Sequence, residues 1–293
     1  MQELVILLFI LIIIFAIFVI AKNAFHVVES KKLFYPVRDY QMYPKQLYSE
    51  IILSTGAVAW YFNNYPNAPT ILYCHGNAAN ISYWNNMIDL IDSQHLNLFI
   101  FDYHGFGKSP GVATINTLFV DSDAAYKWLA QRVPGDQIVV WGESMGGAPA
   151  IEIARKHKIA YLCLAGTFSH PADVLAEWGY PKHMRLAAKL LKKLDNRKHL
   201  SKVQIPVVII HSPDDDIIPY VCAIDLYYSV PHQCKKLITI GGTHVTPKIT
   251  IEQMQEIFNF CNFDTQYCKD GSSHLKAICE DCRRFCPFGK ICT

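Results

Sequence analysis

Short unbroken apolar runs recur along this chain, each followed by a stretch with helical spacing, and that alternation most constrains the fold. The runs are TILYC, LNLFIFDY, DQIVVWG, AYLCLAG, PVVIIHS and KKLITIGG. They are strand-length and apolar on both sides, as expected of strands buried on both faces. Helical spacing appears over Asn80–Gln94, Thr114–Ala130, Ala148–His157, Cys222–Tyr228 and Thr250–Phe260. Thr114 or Asn116 can cap the second of these, where Val120, Ala124, Trp128 and Leu129 recur at helical spacing. Two further strands are expected at Leu47–Leu53 and Val58–Phe62. The pattern predicts one α/β domain over residues 46–260, a mostly parallel central sheet with helices on both faces. A mostly helical insert at 169–200 is a candidate small cap.

Three segments lie outside that domain. Leu4–Ala21 is eighteen residues without a polar side chain, long enough to span a bilayer core as a helix. No basic residue precedes it and the run is long for a cleaved leader, so residues 1–21 read as a retained transmembrane helix. Residues 22–45 are an aromatic-rich connector. Lys22, Lys31, Lys32 and Arg38 follow the apolar run, which by the positive-inside rule puts the domain on the cytoplasmic side. The cysteines point the other way. Six of the ten crowd into residues 261–293, a pattern of disulfides in an oxidising compartment, or of metal ligands or lipidated thiols in a reducing one. One Cys-x-x-Cys without a second pair is a weak zinc signature, and no metal or cofactor is expected. The protein is thus expected in a membrane as a single-pass chain, with its side left open. Cys74 and Cys163, in apolar runs, read as small core residues.

The 27 basic and 25 acidic side chains leave a net charge of +2, which carries no electrostatic footprint for nucleic acid. The basic stretch Arg185–Leu200 reads as a solvated helix face or as a contact for anionic lipid heads. Gly105-Phe106-Gly107-Lys108-Ser109 lacks the glycine framing of a phosphate-binding loop.

In a parallel α/β sheet, ligands collect at the carboxyl ends of the strands. The polar residues expected there are His75, Asn77, Asp102, Ser144, the run Asp214–Asp216 and His244. Ser144 sits in Gly142-Glu143-Ser144-Met145-Gly146, between a strand and a helix. A serine on such a sharp turn needs small neighbours, which Gly142 and Gly146 provide, and its hydroxyl then stands clear of the sheet. His244, after two glycines and the last strand, is the candidate general base. One carboxylate among Asp214, Asp215 and Asp216 would orient its ring. The backbone N–H groups of Met145 and Asn77 are the candidate oxyanion donors. Glu143 and Met145 flank the nucleophile and shape its pocket. His75 reads as structural, and Asp102 as a support for the glycine-rich loop after it.

Five motifs in order, YCHGNAANIS, FDYHGFGKSPG, VVWGESMGGAPA, IIHSPDDDIIP and GGTHVTP, resemble those of α/β-hydrolase-fold serine hydrolases. The resemblance covers about residues 45–260. It is nearest to the membrane-anchored α/β-hydrolase-domain proteins, themselves similar to monoacylglycerol and lysophospholipid lipases and protein depalmitoylases. It implies a Ser144–Asp215–His244 triad, because the pattern His-Gly-x-x-Asp-x-x-Val-Pro puts the acid at Asp215. Ser212 replaces the glycine of that pattern, and His104 stands where arginine is commoner. The implied activity is hydrolysis of a carboxylic ester or thioester, in an acylglycerol, lysophospholipid or acyl-protein, through an acyl-serine. The alternatives are an idle scaffold of the same fold with a partner- or metal-binding cysteine tail, and a serine peptidase.

Overall fold

The computed structural model describes residues 33–262, with side chains through residue 260. The apolar run Leu4–Ala21 and all but the first two residues of the cysteine-rich segment 261–293 lie outside what is described. Among the described residues no helix is long and apolar enough to cross a membrane.

Strands β1 (Tyr35–Pro36), β2 (Ser49–Ile52), β3 (Val58–Phe62), β4 (Thr70–Cys74) and β5 (Ala78–Ala79) open the chain. Helix α1 (Asn85–Ser93), β6 (Asn97–Phe101), α2 (Ile115–Ala130), β7 (Ile138–Glu143), α3 (Gly147–Lys156) and β8 (Tyr161–Ala165) follow. The insert holds α4 (Pro171–Glu177), α5 (Lys182–Ala188) and α6 (Asn196–Leu200). Then come β9 (Val207–His211), α7 (Val221–Ser229), β10 (Lys235–Thr239), β11 (Gly241–Gly242), β12 (Pro247–Lys248) and α8 (Ile251–Asn262).

Eight strands form one sheet in the order β2-β3-β6-β4-β7-β8-β9-β10. Only β3 runs against the others, pairing antiparallel with both β2 and β6. The ladders from β6 through β10 are all parallel. Alternation along each strand sends neighbouring residues to opposite faces. On β7, Ile138 and Val140 enter the layer covered by α2, α3 and α7. Val139 and Trp141 enter the layer covered by α1 and α8. Both faces are therefore apolar, which is why the strands read as unbroken runs rather than alternating ones. Cys74 and Cys163 are buried free thiols in β4 and β8.

Two expected elements differ in detail. The helix expected over Asn80–Gln94 is broken at Trp84: a 3₁₀ turn (Ile81–Tyr83) precedes α1. Asn80 causes this, because its side chain accepts from the Ser82 N–H at 3.0 Å and starts a separate capped turn. The strand expected through Gly242 ends at Thr239, after which Gly241 and Gly242 pair instead with Lys248 and Pro247. In the insert, Trp178, Tyr180, Met184, Leu186 and Leu190 are exposed, so its helices bury only part of their apolar surface.

Residues 33–41, read from sequence as connector, are stitched into the domain. β1 pairs in parallel with β5, and the Val37 N–H donates to Ala79 O at 2.9 Å. The Asn80 side chain donates to the carbonyls of Val37 and Asp39, at 3.0 and 2.9 Å. Arg38 reaches the opposite loop, donating to Ser109 O at 2.5 Å and Gly111 O at 2.9 Å.

Candidate active site

The turn after β7 holds Ser144 at φ +52°, a left-handed conformation that a residue with a Cβ adopts only under constraint. The constraint is visible around it. A Cβ on Gly146 would collide with the carbonyls of Cys74 and His75, and one on Gly142 would lie 2.6 Å from the Ala150 Cβ. The two glycines thus let β7, the elbow and α3 close against β4. Thr167, just past β8, donates its hydroxyl to Ser144 O at 2.5 Å and fixes the turn from the other side.

Ser144 Oγ lies 2.9 Å from His244 Nε2, and His244 Nδ1 lies 2.7 Å from Asp215 Oδ2. The other oxygen, Asp215 Oδ1, accepts the N–H groups of Ile217 at 2.9 Å and Ile218 at 2.7 Å. Burial alone would raise the Asp215 pKa, but the hydrogen bond from His244 and those backbone amides outweigh it and hold the carboxyl below its ordinary value. The three aspartates divide the work. Asp216 accepts from the His244 backbone N–H at 3.2 Å, and Asp214 donates its own N–H to the Ser212 hydroxyl at 3.1 Å. His211, buried behind Asp215, bonds to Ile218 O at 2.9 Å, and burial pulls its pKa down.

The expected oxyanion residues flank the serine. Gly76 packs against it, since a Cβ there would stand 3.3 Å from the Ser144 Cβ, and Asn77 follows directly. The Asn77 side chain turns away from the serine and donates to Leu33 O. Met145 lies in the first turn leading into α3, where helical N–H groups lack intrahelical acceptors. Ala79, two residues after Asn77, is held at φ +61° by its pairing with β1.

His75 and Asp102 lie beneath this loop. Both are fully buried, with His75 Nε2 3.7 Å from Asp102 Oδ1. His75 Nδ1 meets Gly76 O at 2.8 Å, and burial pulls its pKa down to about 4. Asp102 accepts the Ile81 N–H at 2.9 Å and the Tyr40 hydroxyl at 2.7 Å. Burial pushes its pKa up to about 7, past the lowering effect of those two bonds. Its carbonyl also receives the Ser109 hydroxyl at 2.7 Å, so Asp102 ties the glycine-rich loop to both the connector and residue 81. Asn80, which opens the glycosylation-type triplet Asn80-Ile81-Ser82, is fully buried with its side chain bonded, which leaves no room for a glycan.

A groove of about 650 Å³ opens beside Ser144, within the range of small-molecule sites. One wall is Tyr83, Trp84, Met87 and Leu90; the other is residues 244–249. Glu143 and Ser144 form part of its floor. The groove lies on the α1 side of the sheet, not under the insert. Sequence reading did not find Thr167 or the partners of Glu143, Tyr73 and Trp84. The available signal for Thr167 was its place at the carboxyl end of the strand next to the elbow strand.

Residues 69–185 match the family described as alpha/beta hydrolase fold. An uncharacterized protein of Mycobacterium tuberculosis H37Rv is 29% identical over 194 residues, spanning 65% of this chain and 68% of its own. The human alpha/beta hydrolase domain-containing protein 17B is 27% identical over 207 residues, 67% of each chain. Among solved structures, an esterase from Pyrococcus furiosus superposes with a TM-score of 0.60 at 18% identity, covering 87% of this chain and 98% of its own. The enol-lactonase of Burkholderia xenovorans LB400 gives 0.53 at 16% identity, covering 73% of this chain and 100% of its own.

Proposed function

We propose that this chain, an α/β-hydrolase-fold protein, is a serine hydrolase that cleaves carboxylic ester or thioester bonds. The observation that carries the reading is the unbroken hydrogen-bond chain from Ser144 Oγ through His244 to Asp215, with the serine on a strained elbow. His244 Nε2 takes the serine proton as Oγ attacks the carbonyl carbon. Asp215 holds the Nδ1–H tautomer and stabilises the imidazolium that forms. The N–H groups of Asn77 and Met145 receive the charge on the substrate oxygen. The protonated His244 then gives its proton to the leaving alcohol or thiol, and an acyl-Ser144 remains. Water, deprotonated by the same ring, releases the acid.

The apolar wall of the groove suits an acyl chain. The run Leu4–Ala21 supports a membrane-anchored chain acting on acylglycerols, lysophospholipids or acylated proteins at a bilayer surface. That the Pyrococcus neighbour is an esterase agrees with ester chemistry. The test is covalent labelling with a fluorophosphonate. Wild-type protein is expected to label and Ser144→Ala not; equal labelling of the two would overturn the reading. A panel of acylglycerols, lysophospholipids and acyl-peptides then separates the substrates.

A further inference from the structure

Glu143, immediately before the candidate nucleophile, does nothing in the mechanism above, yet it is held with care. Its Oε2 accepts the indole N–H of Trp84 at 2.7 Å and the hydroxyl of Tyr73. An indole nitrogen can only donate, so this oxygen is an acceptor by construction. The Tyr73 hydroxyl is fully buried, and burial first, then the Glu143 charge, raises its pKa well above the ordinary value, so it stays protonated and donates. Both bonds use Oε2. Oε1 has no protein donor among the described residues and is not a buried unpartnered atom, so it is left to the groove.

The charge inventory of the groove sharpens the point. Among the described lining residues Glu143 is the one carboxylate, on the floor beside Ser144. The one lysine, Lys248, stands exposed on the rim, where water screens it. A fixed acceptor with a free oxygen in a mostly apolar groove repels an anion entering that groove far more than it would in open water. We propose that Glu143 sets the charge selectivity of this site, admitting uncharged acyl groups and rejecting acyl groups that carry an anionic group a few carbons from the ester. The inference rests on the acyl-serine reading and names the class of acyl group that reading leaves open.

Two esters of equal chain length test it on the full chain: 4-nitrophenyl pentanoate and the mono-4-nitrophenyl ester of glutaric acid, which differ by a terminal carboxylate. The quantity read is the ratio of kcat/KM for the neutral ester to that for the anionic one, so any general loss of activity cancels. In Glu143→Gln, which keeps an acceptor for Trp84 and Tyr73, the ratio is expected to fall about tenfold from wild type. A second measurement uses wild-type protein alone: added salt should shrink its ratio. Equal ratios in the two proteins, or a wild-type ratio indifferent to salt, would overturn the proposal. The two failures are separable. Absence of Ser144-dependent labelling removes the hydrolase reading itself, whereas labelling with equal ratios removes only the role given to Glu143.

Discussion

Asp215 meets His244 through one oxygen, at 2.7 Å, and spends the other entirely on the backbone amides of Ile217 and Ile218. The carboxylate therefore cannot rotate without losing two bonds, and the oxygen offered to the imidazole is always the same one.

That division predicts the behaviour of Asp215→Asn. The amide oxygen can still accept from the two backbone N–H groups, which leaves the NH₂ facing His244 Nδ1 and forces the wrong tautomer. Ester hydrolysis should fall by about 10³–10⁴-fold in kcat, with little change in melting temperature. A stable protein that keeps most of its activity would count against the triad.

The buried pair under the loop predicts two opposite pH slopes. His75 has a lowered pKa, so it contributes stability above its unfolded value near 6.5 and loses it as pH falls toward about 4. Asp102 has a raised pKa, so its contribution is full below its unfolded value near 4 and is lost as pH rises through about 7. The two oppose one another across this window. Relative to wild type, Asp102→Asn should lose stability as pH falls from 6.5 to 4, and His75→Gln should lose it as pH rises over the same span. Melting temperatures across that range check the signs; parallel slopes in the two variants would be the contrary result.

The glycines divide by what surrounds them. Gly146→Ala drives a methyl into the Cys74 and His75 carbonyls, backbone that cannot swing aside, and should cost about 1–3 kcal/mol or more. Gly241 has nothing within 4 Å of such a methyl, so Gly241→Ala should be near neutral. Thermal melts of the pair provide the comparison.

Arg38 spreads its guanidinium over the carbonyls of Ser109 and Gly111, at 2.5 and 2.9 Å. A lysine cannot reproduce that fork. Arg38→Lys should therefore lower the melting temperature nearly as much as Arg38→Ala, at a cost of about 1–3 kcal/mol. Full rescue by lysine would show that charge alone matters.

The sheet was legible because burial on both faces leaves strands such as Val207–His211 and Tyr161–Ala165 no polar alternation to blur them. Ser144 and His244 were legible because glycines mark the turns that carry them. The triplet Asp214–Asp216 was legible only through the family pattern that singles out Asp215, since all three residues have the same chemistry. What separates them is their contacts after β9: the Asp215 carboxylate meets His244 Nδ1, the Asp216 carboxylate meets the His244 amide, and Asp214 bonds to Ser212 only through its backbone N–H. The bonds from Trp84 and Tyr73 to Glu143 join residues 59 and 70 positions apart, and no local pattern records them. Nor did the sequence disclose the place of residues 33–41, whose apolar and charged side chains resemble those of any linker while their backbone groups do the pairing.

That pairing has a spatial consequence. β1 starts at Tyr35, and thirteen residues, 22–34, separate it from the end of the run Leu4–Ala21. Fully extended, that length covers at most roughly 45 Å. Under the membrane anchoring proposed above, the domain would be a head whose attachment enters at the loop of Asn77 itself. Its groove would then search a two-dimensional surface within that length, and substrates embedded in that surface would meet it at a local concentration that the bulk solution does not set.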